Sequence, residues 1–201
     1  MNTLRQKLSY IWDYYKFPLI GIPLGILFLI YVISAFTGTK DVPFSVYFIN
    51  QDVSIESCRD LEAKLLAARA LADVTEDIYV DASLIINPKA PDFDSQISFT
   101  ASISGHTIDI MVSDRSFLEY YAKMDALADL SVVLPADLYD LLMPYLIMEE
   151  NKGGLMTPYA IDLSDCTYFT DYNLNAPVLT IAKYSEHQEA CIAFLRLVFS
   201  E

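Results

Sequence analysis

Cysteine, tryptophan, histidine, glycine and positive charge are all scarce in this 201-residue chain, and each scarcity removes a class of function. The three cysteines, Cys58, Cys166 and Cys191, are odd in number and show no CxxC or CxxH spacing. A zinc-type ligand set is thereby excluded, and buried free thiols are a better reading than a disulfide framework. His106 and His187 are the only histidines, and neither lies at a GxSxG elbow. No Ser/His/Asp or Cys/His arrangement follows from residue order. The one Gly-Gly pair, Gly153-Gly154, lacks a following Lys-Ser/Thr, so no phosphate-cradling loop and no cofactor motif is present. Thirteen basic residues face 27 acidic ones, a net charge of -14 that repels nucleic acid phosphates. The expectation is a chain that is neither an enzyme nor a nucleic acid binder.

What the sequence does have is one long run without charge. Phe17 to Phe36 reads FPLIGIPLGILFLIYVISAF, and at ~1.5 Å per residue twenty residues reach across a hydrocarbon core of about 30 Å. A transmembrane helix over 17–36 is therefore expected. Arg5, Lys7 and Lys16 precede it against Asp13 alone, which places the N-terminus in the cytoplasm and the remainder outside the cell. A cleaved signal peptide is the competing reading. Its apolar core would be shorter, and Ser34-Ala35-Phe36 makes a poor cleavage site. Leu4, Leu8, Ile11 and Tyr15 share a helical face flanked by Tyr10, Trp12 and Tyr14, so residues 1–16 read as a cytoplasmic interfacial helix. The pair Gly21 and Gly25 has the spacing of a helix-pairing motif, but Pro23 lies between them and weakens it.

Residues 37–41 form a short linker and 42–201 form one extracellular domain; together they carry ten basic against 26 acidic residues. That length fits a single core. Val42 to Ile49 alternates as a strand, Ser54 looks like an N-cap, and Cys58, Leu61, Leu65, Ala68 and Ala72 form a helical stripe. Asp77 to Ile86 is a second strand, and Pro91 to Gly105 reads as a helix ended by its glycine. Thr107 to Val112 is a third strand, followed by a helix for which Ser116 and Glu119 suggest a capping box. Pro135 opens a helix expected to run from Ala136 to Met148 with a kink at Pro144. Leu155 to Leu163 and Pro177 to Ala182 read as strands, and Ser185 to Phe199 as a closing helix. Alternating strands and helices predict a three-layer α/β domain with a mainly parallel sheet.

Thr107 to Asp114, with Phe117, Leu118, Tyr121, Ala122 and then Asp125 to Leu130, resembles a passage of the type 2 extracellular solute-binding proteins. The segment Val178 to Ser185 with Glu189 to Leu195 is similar to that family's late strand and its closing helix. Ile11 to Lys16 plus the apolar run, and Tyr159 to Asp165, look like segments of membrane-anchored proteins of Gram-positive, clostridia-type bacteria. The resemblance implies one lobe of a type 2 periplasmic-binding-protein fold, tethered by a helix and associated with a membrane transporter or a surface complex. The chain departs from that family in lacking a lipid-attachment Cys after the span and in having room for one lobe only.

In an open α/β sheet, ligands sit outside the carboxyl ends of the strands. Asn50, Gln51 and Asp52 would stand there after the first strand, Asn87 after the second, and Ser113, Asp114 and Arg115 after the third. Asn50, Asp52, Asn87, Ser113 and Asp114 are accordingly the candidate ligand-binding residues. The same residue types are also the usual turn formers and helix caps. Asp52 and Asp114 would turn away an anion and favour a cationic or neutral small molecule. Asp77, Asp81, Asp92 and Asp94 are close in sequence but lack the regular spacing and central Gly of a calcium loop, so no metal site is expected.

Overall fold

The computed structural model describes residues 22–31, 43–68, 71, 77–87 and 93–199. The chain divides into two compact units, residues 1–41 and 42–201. In the first unit, residues 22–31 form a helix whose apolar side chains are all exposed. No helix among the described residues is long and apolar enough to cross a membrane. The interfacial helix over 1–16, the linker over 37–41 and both ends of the 17–36 run lie outside the described residues.

The second unit is built on a six-stranded sheet. Strand β1 (Phe44–Phe48) leads to helix α1 (Ile55–Ala67), β2 (Ile78–Asp81), α2 (Phe93–Ser104), β3 (Ile110–Ser113) and α3 (Arg115–Lys123). Two short helices follow, α4 (Leu130–Val133) and α5 (Ala136–Leu142), then β4 (Leu146–Glu150), β5 (Met156–Asp162), β6 (Val178–Ile181) and the closing helix α6 (Gln188–Val198). The strand order is β2-β1-β3-β6-β5-β4.

The sheet is mixed, which corrects the mainly parallel arrangement expected from the sequence. β1 runs parallel to β2 and β3, whereas β6 is antiparallel to both β3 and β5, and β5 is antiparallel to β4. The difference arises in the second half of the domain, where no helix crosses between β4 and β5. Their hairpin turns on Asn151, whose Oδ1 accepts from Gly153 N at 2.8 Å and Leu155 N at 3.0 Å. Gly154 supplies the left-handed residue, φ 81°.

The helix expected over 136–148 likewise stops early. Pro144 sits in a 3-10 turn (Met143–Tyr145), and residues 146–150 pair with β5 instead. Leu, Met and Glu are good helix formers, but proline removes a backbone donor and disfavours a helical residue before it. An available strand partner then decides the outcome.

Two hydrophobic cores flank the α/β domain's sheet. Alternation within β3 sends Ile110 and Val112 to one face and Met111 to the other. On the first face Phe44, Val46 and Phe48 pack with Leu61 and Leu65 of α1 and with Cys191, Phe194 and Leu195 of α6. On the second, Phe99 of α2 meets Phe117 and Tyr121 of α3, with ring centroids 4.4 to 5.4 Å apart. None of the three cysteines is in a disulfide, and Cys58 and Cys191 are buried.

Candidate functional site

β1 is followed by β2 on one side and, after a second crossover, by β3 on the other. The intervening helices α1 and α2 contribute to opposite cores. The loops after β1 and β3 therefore part from each other, and this reversal is where open α/β sheets form a crevice. A cleft of ≈ 520 Å³ lies there, lined by Asn50, Gln51, Asp52, Ile85, Ile86, Asn87, Asp114 and Ser116.

Four of the five candidate residues thus converge: Asn50, Asp52, Asn87 and Asp114. The fifth, Ser113, is fully buried in β3, with its hydroxyl 3.5 Å from the Asp114 carbonyl, and stands apart from that lining. Gln51, Ser116, Ile85 and Ile86 complete the wall. The two isoleucines fall in residues 82–87, which extend beyond β2 rather than continuing it as the sequence suggested.

Much of the polar lining is engaged with its own chain. Asn50 adopts φ 59°, a left-handed conformation that Asn tolerates better than most residues. Its Oδ1 accepts from Ile86 N at 2.7 Å, and its Nδ2 donates to the Ile86 carbonyl and to Asp114 Oδ2, both at 2.8 Å. Asp114, not Ser116, caps α3, with Oδ1 accepting from Phe117 N at 2.8 Å. Gln51 accepts from Asn175 N at 2.8 Å and so ties the approach to β6 against the cleft. Asp52 is exposed, and its carboxylate accepts from Asn173 at 3.3 Å. The floor is thus a fixed hydrogen-bonded frame, while Asp52 and Ile85 project from it into solvent.

A second polar constellation escaped the sequence reading. Asp109 is 0 % exposed at the entrance to β3. Its oxygens accept from Ser45 N at 2.8 Å and from Ser185 Oγ at 2.6 Å, and both lie 3.1 Å from His187 Nδ1. Ser45 Oγ in turn donates to the Thr107 carbonyl at 2.8 Å, and Ser185 Oγ is 3.7 Å from Cys191 Sγ. The signal available in the sequence was an acid inside the apolar run TIDIMV, since a buried carboxylate requires donors. In a nucleophilic triad the hydroxyl bonds the second ring nitrogen of the histidine. Here Ser185 bonds the carboxylate itself, so the cluster is a polar staple joining β1, β3 and the start of α6.

Among the described residues, no group of three or more His, Cys, Asp or Glu is arranged to hold a metal ion. No protein-family model, curated protein or solved structure matches this chain.

Proposed function

We propose that this chain is a non-catalytic, membrane-tethered extracellular binding module, built as a single solute-binding lobe and accessory to a transporter or surface complex. The observation that carries the reading is the cleft at the carboxyl ends of β1, β2 and β3, at the point where the strand order reverses. Its lining offers amides and carboxylates that brace the backbone, not a nucleophile beside a base, which favours holding a ligand over transforming one. The tether rests on the uncharged 17–36 run and on the helical, apolar and exposed character of residues 22–31.

The test is a thermal-shift panel of sugars, peptides and amines on the full chain in detergent, because a ligand that binds only the native state raises its Tm. Ser116→Trp, at an exposed position on the wall, should fill the cleft and abolish any shift. No shift with any compound, or an equal shift in the variant, would remove the cleft as a binding site. Deleting residues 1–36 should move the domain from the membrane fraction to the soluble one.

A second reading is a structural protein that packs on another membrane protein. The outward face of α2 favours it, because Phe93 and Ile97 are exposed there beside Thr100, Ala101 and Ser104 in a shallow groove of ≈ 410 Å³. Recovery of a crosslinked partner through cysteines placed on α2, with the cleft variant unaffected, would favour this reading over the first.

A further inference from the structure

Resting on the binding-cleft reading above, we infer that the cleft selects an alkylammonium ligand: a positively charged amine carried on a short hydrocarbon body. Three features converge on that chemistry. The lining holds two carboxylates, Asp52 and Asp114, and none of its residues is basic. Arg115, the neighbouring described base, is turned to Glu149 at 2.7 Å, so it brings no compensating charge. The cleft is a negative recess on a strongly acidic chain, and such recesses concentrate cations.

An anion is excluded by the same geometry. The amino end of α3, nine residues long, would otherwise attract a phosphate or carboxylate through its free N–H groups. Asp114 already occupies that position and accepts from Phe117 N. Each Asp114 oxygen accepts one hydrogen bond within the chain, from Phe117 N and from Asn50 Nδ2. A carboxylate has about four acceptor sites, so capacity remains for an ammonium donor.

The hydrocarbon part of the ligand follows from Ile85. Its side chain is 71 % exposed on the wall of the cleft, against a buried Ile86 beside it. An alkyl chain lying on Ile85 would remove that surface from water while its ammonium group meets Asp52. A bare metal cation would gain nothing from the isoleucine, and a sugar would gain little from the paired charges.

The experiment is calorimetric titration of the full chain in detergent with butylammonium, 1,4-diaminobutane, butanol and butyrate, compounds of similar length that differ in charge. Both amines should bind, butanol at least about tenfold more weakly and butyrate not measurably, the scale expected for a charge-assisted hydrogen bond. Asp52→Asn should weaken amine binding about tenfold while leaving the Tm of the free protein unchanged. Ile85→Ala should weaken butylammonium more than methylammonium. Equal binding of butanol and butylammonium, or an unaffected Asp52→Asn, would overturn the inference. If sugars or peptides raise the Tm and lose that effect in Ser116→Trp while amines do nothing, the cleft binds ligands of another class. If no compound of any charge binds, the cleft reading and this inference fall together.

Discussion

Asn50 grips Ile86 as a second strand would, with its side-chain amide accepting from the Ile86 N–H at 2.7 Å and donating to the Ile86 carbonyl at 2.8 Å. A side chain on the loop after β1 thereby replaces a ladder rung for the segment beyond β2. The same Nδ2 reaches Asp114 after β3, so one residue locks the three loops that form the cleft. Asn50→Ala should therefore destabilise the domain by about 2–4 kcal/mol, from three lost hydrogen bonds of roughly 1 kcal/mol each and the strain of alanine at positive φ. Asn50→Gly should recover about 1 kcal/mol of that loss, because glycine accepts this φ freely. Urea midpoints at constant m-value would measure both. Equal stability of the alanine variant and the parent would show that the grip contributes nothing.

Asp109 is expected to be the most sensitive polar position in the domain. It is fully buried, and its oxygens satisfy donors from Ser45 of β1 and Ser185 just before α6 and face His187 at the start of α6. Removing the shared acceptor of a buried polar network leaves several donors desolvated and unpaired, each at about 1–3 kcal/mol, so about 3–5 kcal/mol together. Asp109→Ala should lower stability by that amount, a large share of a total of roughly 5–15 kcal/mol. His187→Ala, which removes a single partly exposed ring, should cost less, about 1–3 kcal/mol. A smaller loss for Asp109→Ala than for His187→Ala would contradict the assignment of the carboxylate as the hub.

Local pattern made the first half of the domain legible, and long-range pairing made the second half hard to read. Ser54 caps α1 through Ser57 N as its position suggested, and the stretch before Gly105 is helical from Phe93 to Ser104. The left-handed residue after that helix is His106, φ 54°, not the glycine. β5 and β6 are antiparallel where the sequence suggested a mainly parallel sheet, and β4 lies where the end of a helix is expected, because nothing in a short apolar run records which neighbour it will find. Asn87 lies in the segment beyond the end of β2 at Asp81, but strand-end placement of Asn50, Asp52 and Asp114 was readable, since turn residues mark strand ends. Their cross-loop hydrogen bonds were not, because Asn50 and Asp114 are 64 residues apart. The Asp109 cluster was hidden for the same reason: Ser45, Asp109 and Ser185 are brought together only by the sheet.

Alkaline solution should destabilise the domain through two buried groups, Cys191 and Tyr121, and the partly buried Tyr47. Burial, with Asp109 adding to it, pushes the Cys191 thiol from 9.0 up to about 12. Burial does the same to the phenols of Tyr47, aided by Tyr79, Asp81 and Asp109, and of Tyr121, aided by Tyr120, moving each from 10.0 to about 12. Above pH 9 the unfolded chain begins to lose these protons while the folded chain keeps them. The stabilisation is complete below pH 9 and declines as the pH rises toward 12. Urea midpoints should fall steadily across that window, and Cys191→Ala and Tyr121→Phe should each flatten the decline. Alkylation at pH 8 should leave Cys191 unmodified until the protein is unfolded.

Tyr172 offers a case in which removing a polar group should help. Its ring is buried and stacks on Phe48 at 6.0 Å between centroids, with planes 12° apart, and meets Phe169 edge-on at 5.4 Å. Among the described residues its hydroxyl is the one buried side-chain oxygen or nitrogen with no hydrogen-bond partner. An unmade bond of this kind costs about 1–3 kcal/mol of desolvation, whereas the ring contacts persist when the hydroxyl is removed. Tyr172→Phe should therefore raise stability, by about 1 kcal/mol after allowing for the small void left behind. Tyr172→Ala should lower it by about 3–5 kcal/mol through loss of the ring. Chemical denaturation of the two variants separates the contributions, and a phenylalanine variant less stable than the parent would mean that the hydroxyl is satisfied in solution.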